Sequence, residues 1–252
     1  SSDLFLIAYI GIWAISPKHL FADNLKDELW LVAGGVFGGS LYFFTENTAL
    51  GITQASNVAF IICTAPLLTT ILSLLFYKSE KATKGLIYGS LLALIGVGLV
   101  VFNGSVVLKL SPVGDLLTLL AALSWAFYSL VIKRMTGRYP TVFITRKIFF
   151  YGVLTILPAF LLHPLQPDFD VLLQPLVLSN LLFLAVLASL ICYILWNVVL
   201  KQLGTMRASN YIYLNPLVTM VASVLILHEQ ITWITLMGAA CIILGVYLAE
   251  KK

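Results

Sequence analysis

Eight stretches of this chain are each long and apolar enough to form a helix that crosses a lipid bilayer. Such a helix needs about 20 mostly apolar residues, because each residue advances it by about 1.5 Å through roughly 30 Å of hydrocarbon. The stretches run roughly over 29–50, 54–77, 84–103, 113–133, 141–162, 176–200, 207–227 and 232–249. A ninth, 4–16 (LFLIAYIGIWAIS), is shorter and covers only about 20 Å. Inside lipid every backbone polar group must bond within the protein, so runs of this length become helices. The expected fold is an all-α polytopic membrane protein. The balance of residues agrees: 60% are hydrophobic and 10% charged, whereas soluble domains carry about 25% charged residues.

The connections between the runs are short. The longest, 163–175, holds three prolines and reads as loop. Alternating the nine segments puts Lys18, Lys26, Lys78, Lys81, Lys84, Lys133, Arg134, Arg138, Arg146, Lys147, Lys201, Arg207, Lys251 and Lys252 on one side, and Lys109 alone on the other. Under the positive-inside rule the basic side is cytoplasmic, so the C-terminus is expected there, in the cytoplasmic (inner) membrane. Ser1-Ser2-Asp3 is not a basic n-region, so a signal peptide is not expected there. Nine spans would place the N-terminus outside, and one further helix before Ser1 would remove that difficulty. The expectation is that a first helix is missing or truncated here.

The chain also resembles itself at an offset near 150. Asn47 and Leu50 match Asn197 and Leu200, and Gln54-Ala55-Ser56-Asn57 matches Arg207-Ala208-Ser209-Asn210. Pro66 matches Pro216, Glu80 matches Glu229, and Gly89 and Gly96 match Gly238 and Gly245. Helix 29–50 leaves the cytoplasm while helix 176–200 enters it, so the two repeats are expected to be inverted. Inverted repeats are typical of secondary transporters, whose site lies near the midplane at the repeat interface. The first repeat would cover 1–110, with its opening helix absent, and the second 111–252.

Several residues carry a family resemblance. They are the two Ala-Ser-Asn openings at 55–57 and 208–210, each followed by Pro66 or Pro216, the far-end Glu80 and Glu229, and the Gly-rich closing helices. Ser124-Trp125-Ala126-Phe127-Tyr128-Ser129-Leu130 belongs with them. On these the chain resembles the EamA-type ten-helix members of the drug/metabolite transporter superfamily, over essentially its whole length. The resemblance implies two inverted five-helix repeats, nine of the ten helices being apparent here, with both termini cytoplasmic. It also implies a central cavity lined by helices 29–50, 54–77, 113–133, 176–200 and 207–227.

Glu46 is the only acidic residue deep inside a clear span. An intramembrane carboxylate is costly, and it is a candidate either for proton exchange during transport or for pairing with a cationic substrate. The structural alternative is a carboxyl hydrogen-bonded to Asn47 or to a neighbouring helix. Tyr42 lies one turn before Glu46 on the same face. Tyr193, Trp196 and Asn197 share a helix face, as do Trp125 with Tyr128, Asn210 with Tyr213, and Tyr211 with Asn215. Aromatic and amide groups on facing helices suit an amphipathic organic solute; ordinary packing is the alternative. Pro66 and Pro216 each free a helical carbonyl and are candidate hinges. Asn57 and Asn210 are expected to cap their helices, and Arg146 and Lys147 to reach toward the headgroups. Trp13, Trp30 and Trp233 suit an interfacial belt. Gly34, Gly35, Gly38 and Gly39 read as a close-packing face. Cys63, Cys192 and Cys241 sit in apolar runs and are expected to be buried and structural.

The expected function is secondary transport of a small amphipathic organic metabolite by alternating access. Amino acids or related compounds lead, and the resemblance favours export. Partners would be the substrate, membrane lipids and, as the candidate coupling ion, protons. No GxxxxGK[ST] loop points to ATP, the dispersed basic residues do not suit nucleic acid, and His19, His163 and His228 form no metal set. Neither a cofactor nor an enzymatic activity is expected. The rivals are a membrane enzyme acting on lipid-linked substrates, which needs carboxylates or histidines clustered at one face, and a non-transporting structural subunit.

Overall fold

The computed structural model describes residues 21–77, 81–102, 111–162, 173–227 and 232–251. The short run 4–16, Glu80, Glu229, Trp13, Lys109 and the three histidines lie outside the described residues. Secondary structure among the described residues is helical, and six stretches are long and apolar enough to cross a membrane.

Helix α1 (Leu25–Gly35) begins four residues before its apolar run, because a polar turn starts it. The Asn24 side chain accepts a hydrogen bond from the Asp27 N–H at 2.8 Å, and Asp27 and Glu28 occupy the first turn. Both choices satisfy the exposed N–H groups and positive end of a helix. The helix then widens into a π segment over Val36–Ser40, where the Leu41 N–H reaches back five residues to the Val36 carbonyl, and continues as α2 (Leu41–Ile52).

The run 54–77 is not one helix. It forms α3 (Ala55–Ile62) and α4 (Ala65–Phe76), separated at Cys63 and Thr64, with the Thr64 N–H donating to Ile61 O at 2.9 Å. Pro66 is the second residue of α4, a position where its missing N–H costs nothing. Next come α5 (Lys84–Phe102), α6 (Pro112–Thr136) and α7 (Thr141–Leu162), which carries Pro158 inside it. Helix α8 (Pro175–Leu182) passes through a second π segment, Phe183–Ile191, into α9 (Cys192–Leu203). Gly204 turns the chain at φ 79°, a left-handed conformation that favours glycine. The run 207–227 is also interrupted: α10 (Thr205–Asn210) gives way to a 3₁₀ turn over Tyr211–Leu214 before α11 (Asn215–Leu227). Pro216 is again the second residue of the new helix. The last helix is α12 (Trp233–Glu250), capped by Thr232.

The chain divides into two compact units. The first takes the chain through Phe43 together with Phe127–Gln202; the second takes Phe44–Ala126 and the chain from Leu203 onward. In the first, α1 and its π segment pack on α7. A Cβ on Gly35 would come within 2.8 Å of the Gly152 N, and one on Gly39 within 3.0 Å of the Gly152 Cα. Gly35 and Gly39 of the expected glycine face are therefore used against α7. In the second unit, α5 lies along α12. A Cβ on Gly96 would sit 2.6 Å from the Gly238 carbonyl oxygen, and one on Gly89 would run into that of Gly245. These pairs run in opposite numerical directions, so the two helices are antiparallel. Cys63, Ala93, Val97, Tyr213, Ile242 and Val246 form a core beside this seam. Cys63 is buried as expected, but Cys241 is half-buried and Cys192 exposed.

Candidate functional site

Three of the residues singled out in the sequence meet in the first unit. The Tyr128 hydroxyl donates to Asn197 Oδ1 at 2.7 Å, and Asn197 Nδ2 donates to Thr145 Oγ1 at 2.8 Å. Thr145 passes the bond on to the Thr141 carbonyl at 2.9 Å. The Tyr193 hydroxyl donates to the Gly38 carbonyl at 2.7 Å, within the first π segment. Widened turns of this kind leave backbone acceptors available to other partners. Gly38 admits no side chain, because a Cβ would enter the Tyr128 ring. Tyr193 also packs against Tyr128 and Phe149, with ring centroids 6.0 and 5.2 Å away. Tyr128, Tyr193 and Asn197 are all buried. Trp196, on the same helix face, is half-buried, as is Tyr42, which meets Phe43 edge-on. Thr145 has no pattern in the sequence that marks it; only its place opposite Asn197 does.

A second polar cluster ties the start of α1 to the α6–α7 connection and to α7. Arg138 Nη1 lies 2.8 and 3.0 Å from the two Asp27 carboxylate oxygens, and the Tyr139 hydroxyl donates to Asp27 at 3.0 Å. Asp27 lies in the polar first turn, ahead of the apolar span. Burial pushes its carboxyl up, but hydrogen bonds from Arg138, Asn24 and Tyr139 outweigh that and hold it below its ordinary value. Glu28 pairs with Lys147 and accepts from the Tyr151 hydroxyl and, at 2.7 Å, from the Ala22 N–H. This corrects the expectation for Lys147. It does not reach for headgroups: its side chain is 5% exposed and ion-paired. Arg146 is buried as well, beside the Phe143 ring. The missed signal lay in Glu28, since a cation inside an apolar run implies a carboxylate elsewhere.

The remaining candidates belong to the second unit. Glu46 and Trp125 are half-buried, and Asn47, Tyr211 and Asn215 are exposed. Asn210 and Tyr213 are buried instead, and Pro66 and Pro216 are buried at the two helix restarts. Asn210 does not cap: Gly204 holds the cap position of α10, and Asn210 Oδ1 accepts from Ser90 Oγ at 2.9 Å. Asn57 lies inside α3, whose cap position is Gln54. Ser73 Oγ and Thr205 Oγ1 join α4 to α10 at 3.1 Å. Three buried polar atoms stand out, two of them next to the interruption at 211–214. Asn210 Nδ2, Ser209 Oγ and Thr69 Oγ1 are buried without a hydrogen-bond partner among the described residues.

Comparison with known proteins gives this architecture its place. A solved crystal structure superposes with a TM-score of 0.79 over 99% of this chain and 85% of that one, at 18% identity, which establishes the shared fold. An uncharacterised transporter of Archaeoglobus fulgidus is 27% identical over 98% of this chain and 86% of its own length. The uncharacterised transporter YyaM of Bacillus subtilis is 30% identical over 99% of this chain and 81% of its own. A protein of Salmonella typhimurium named a probable amino-acid metabolite efflux pump is 27% identical over 92% and 80%. The EamA-like transporter family matches residues 4–102 and 112–250. This chain therefore belongs to the EamA-like transporter family, as a multi-pass membrane protein that moves small molecules rather than transforming them.

Proposed function

We propose that the chain exports a small amphipathic metabolite, an amino acid or a related compound, across the cytoplasmic membrane by alternating access between two inverted repeats, 1–110 and 111–252. The C-terminus would be cytoplasmic, and protons bound at Glu46 would couple transport. The observation that carries this reading is the group of buried, unpartnered polar atoms on Asn210, Ser209 and Thr69 beside a broken helix. Discontinuous helices are where transporters of this kind bind substrates and ions. Breaks precede both Pro66 and Pro216, residues that match across the internal offset. The glycine seam supports inversion: an offset of 149 carries Gly89 onto Gly238 and Gly96 onto Gly245, and so carries one contact onto the other. The Salmonella typhimurium relative named a probable amino-acid metabolite efflux pump supports the substrate class.

Tyr42, Glu46, Asn47, Trp125, Tyr128, Tyr193, Trp196, Asn197, Tyr211 and Asn215 remain the proposed substrate-binding set, with Pro66 and Pro216 as hinges. Tyr128, Tyr193 and Asn197 would shape the wall through their fixed hydrogen bonds. The test is counterflow of amino acids in proteoliposomes, with and without a pH gradient. The chain should exchange at least one of them, and Glu46→Gln should abolish the response to the gradient. An unchanged pH response in Glu46→Gln would remove the proton-coupling role.

A further inference from the structure

We propose that a groove at the start of α1 holds the headgroup and upper acyl chain of one anionic phospholipid. The groove has a volume of about 280 Å³ and is lined by Lys26, Leu29, Trp30 and Ala33. These four follow i, i+3, i+4, i+7 spacing, so they form one stripe along a helix. From Lys26 to Ala33 the stripe climbs about 10 Å. Along that climb it changes from the Lys26 side chain to the apolar Leu29, Trp30 and Ala33, as a phospholipid changes from its charged headgroup to hydrocarbon.

The charge at its polar end is available. Lys26 is exposed, and no carboxylate among the described residues pairs with it. The acids of the same turn are engaged elsewhere, Asp27 by Arg138 and Glu28 by Lys147. A second cation stands at the wall: the Arg134 guanidinium lies 4.8 Å from the Trp30 ring centre, and its buried Nε has no hydrogen-bond partner among the described residues. The stacked guanidinium holds the indole as a fixed wall and adds positive potential. Leu29, 60% exposed, offers the apolar surface below. Basic side chains at the headgroup level attract an anionic headgroup. An indole at that level serves as more than a belt residue here, because it closes one side of the groove.

The test uses the full chain in detergent, delipidated and titrated with phosphatidylglycerol or phosphatidylcholine, with bound lipid counted by native mass spectrometry. One phosphatidylglycerol per chain should bind in preference to phosphatidylcholine. Lys26→Gln should weaken it about five-fold, the contribution of one cation to anionic lipid attraction. Lys26→Arg should retain it, and Lys84→Gln, an exposed cation on α5, should leave it unchanged. Leu29→Ser tests the apolar end independently and should also weaken binding. Equal binding of the two lipids, equal weakening by Lys84→Gln, or displacement by inorganic phosphate would each overturn the proposal.

Discussion

In the first unit a set of buried polar side chains is paired off, Tyr128 with Asn197, Asn197 with Thr145, Tyr193 with the Gly38 carbonyl, and Glu28 with Lys147, although the Arg134 Nε is unmet among the described residues. In the second, Asn210 uses its carbonyl on Ser90, but among the described residues its amide N–H groups and the buried Ser209 and Thr69 hydroxyls are unmet. A buried polar group left unmet costs about 1–3 kcal/mol. In the first unit these pairs hold one arrangement. The second keeps polar groups at a helix break, where water or a ligand can satisfy them and where a change of partner costs little. Rigidity and adaptability are thus divided between regions of one chain.

The sharpest way to break this contrast is through the glycine seam of the second unit. Gly89→Val would force side chain against the α12 backbone, and neither helix can yield without separating. Overpacking of this sort costs up to about 3 kcal/mol and sometimes more. The expected outcome is loss of a monodisperse peak on size exclusion, and a well-behaved variant would show that the seam is looser than the geometry indicates. Next, Lys147→Met strands the Glu28 carboxylate, and removing one partner of a buried pair costs roughly 3 kcal/mol. The variant should melt well below the unmodified chain, and adding Glu28→Gln should recover part of the loss.

Two matched substitutions then compare the units directly. Asn197→Leu removes both hydrogen bonds of a satisfied amide and should cost about 2 kcal/mol. Asn210→Leu removes an amide that was only half satisfied and should cost about 1 kcal/mol. Equal losses in denaturant titrations would erase the distinction. The smallest effect concerns acid. Asp27 has a lower carboxyl value folded than unfolded, so its contribution is complete above its ordinary value of 3.8 and is lost as pH falls through the folded value. Melting temperature should therefore drop on acidification, and the drop should be smaller in Asp27→Asn.

Most of the helices were legible in advance because apolar length is a local property. The run 141–162 appears as α7, and 84–103 as α5 up to Phe102, the last described residue there. The breaks within 54–77 and 207–227 were marked by Pro66 and Pro216, but a proline bends or restarts a helix according to what packs around it. Both here restart it. The π segments had no local signal, since Val36–Ser40 and Phe183–Ile191 are as apolar as their surroundings apart from the glycines. Among the candidate residues, the Tyr128–Asn197 pairing was foreshadowed by helix-face spacing, whereas Tyr211 with Asn215 proved exposed and Asn210 with Tyr213 buried. Face assignment fails there because a 3₁₀ turn rotates side chains by a different angle per residue than an α-helix does.

By itself the sequence determined that this chain lives in lipid as a set of helices, because hydrocarbon tolerates no unbonded backbone and the apolar runs are long enough to cross it. It also carried the features that place the chain among small-molecule transporters. Which polar groups meet was decided only by tertiary structure. Glu28 finds Lys147, and Ser90 finds Asn210, across more than a hundred residues of chain. Hydrogen bonds and ion pairs act over a few ångströms, and only packing brings such distant positions that close.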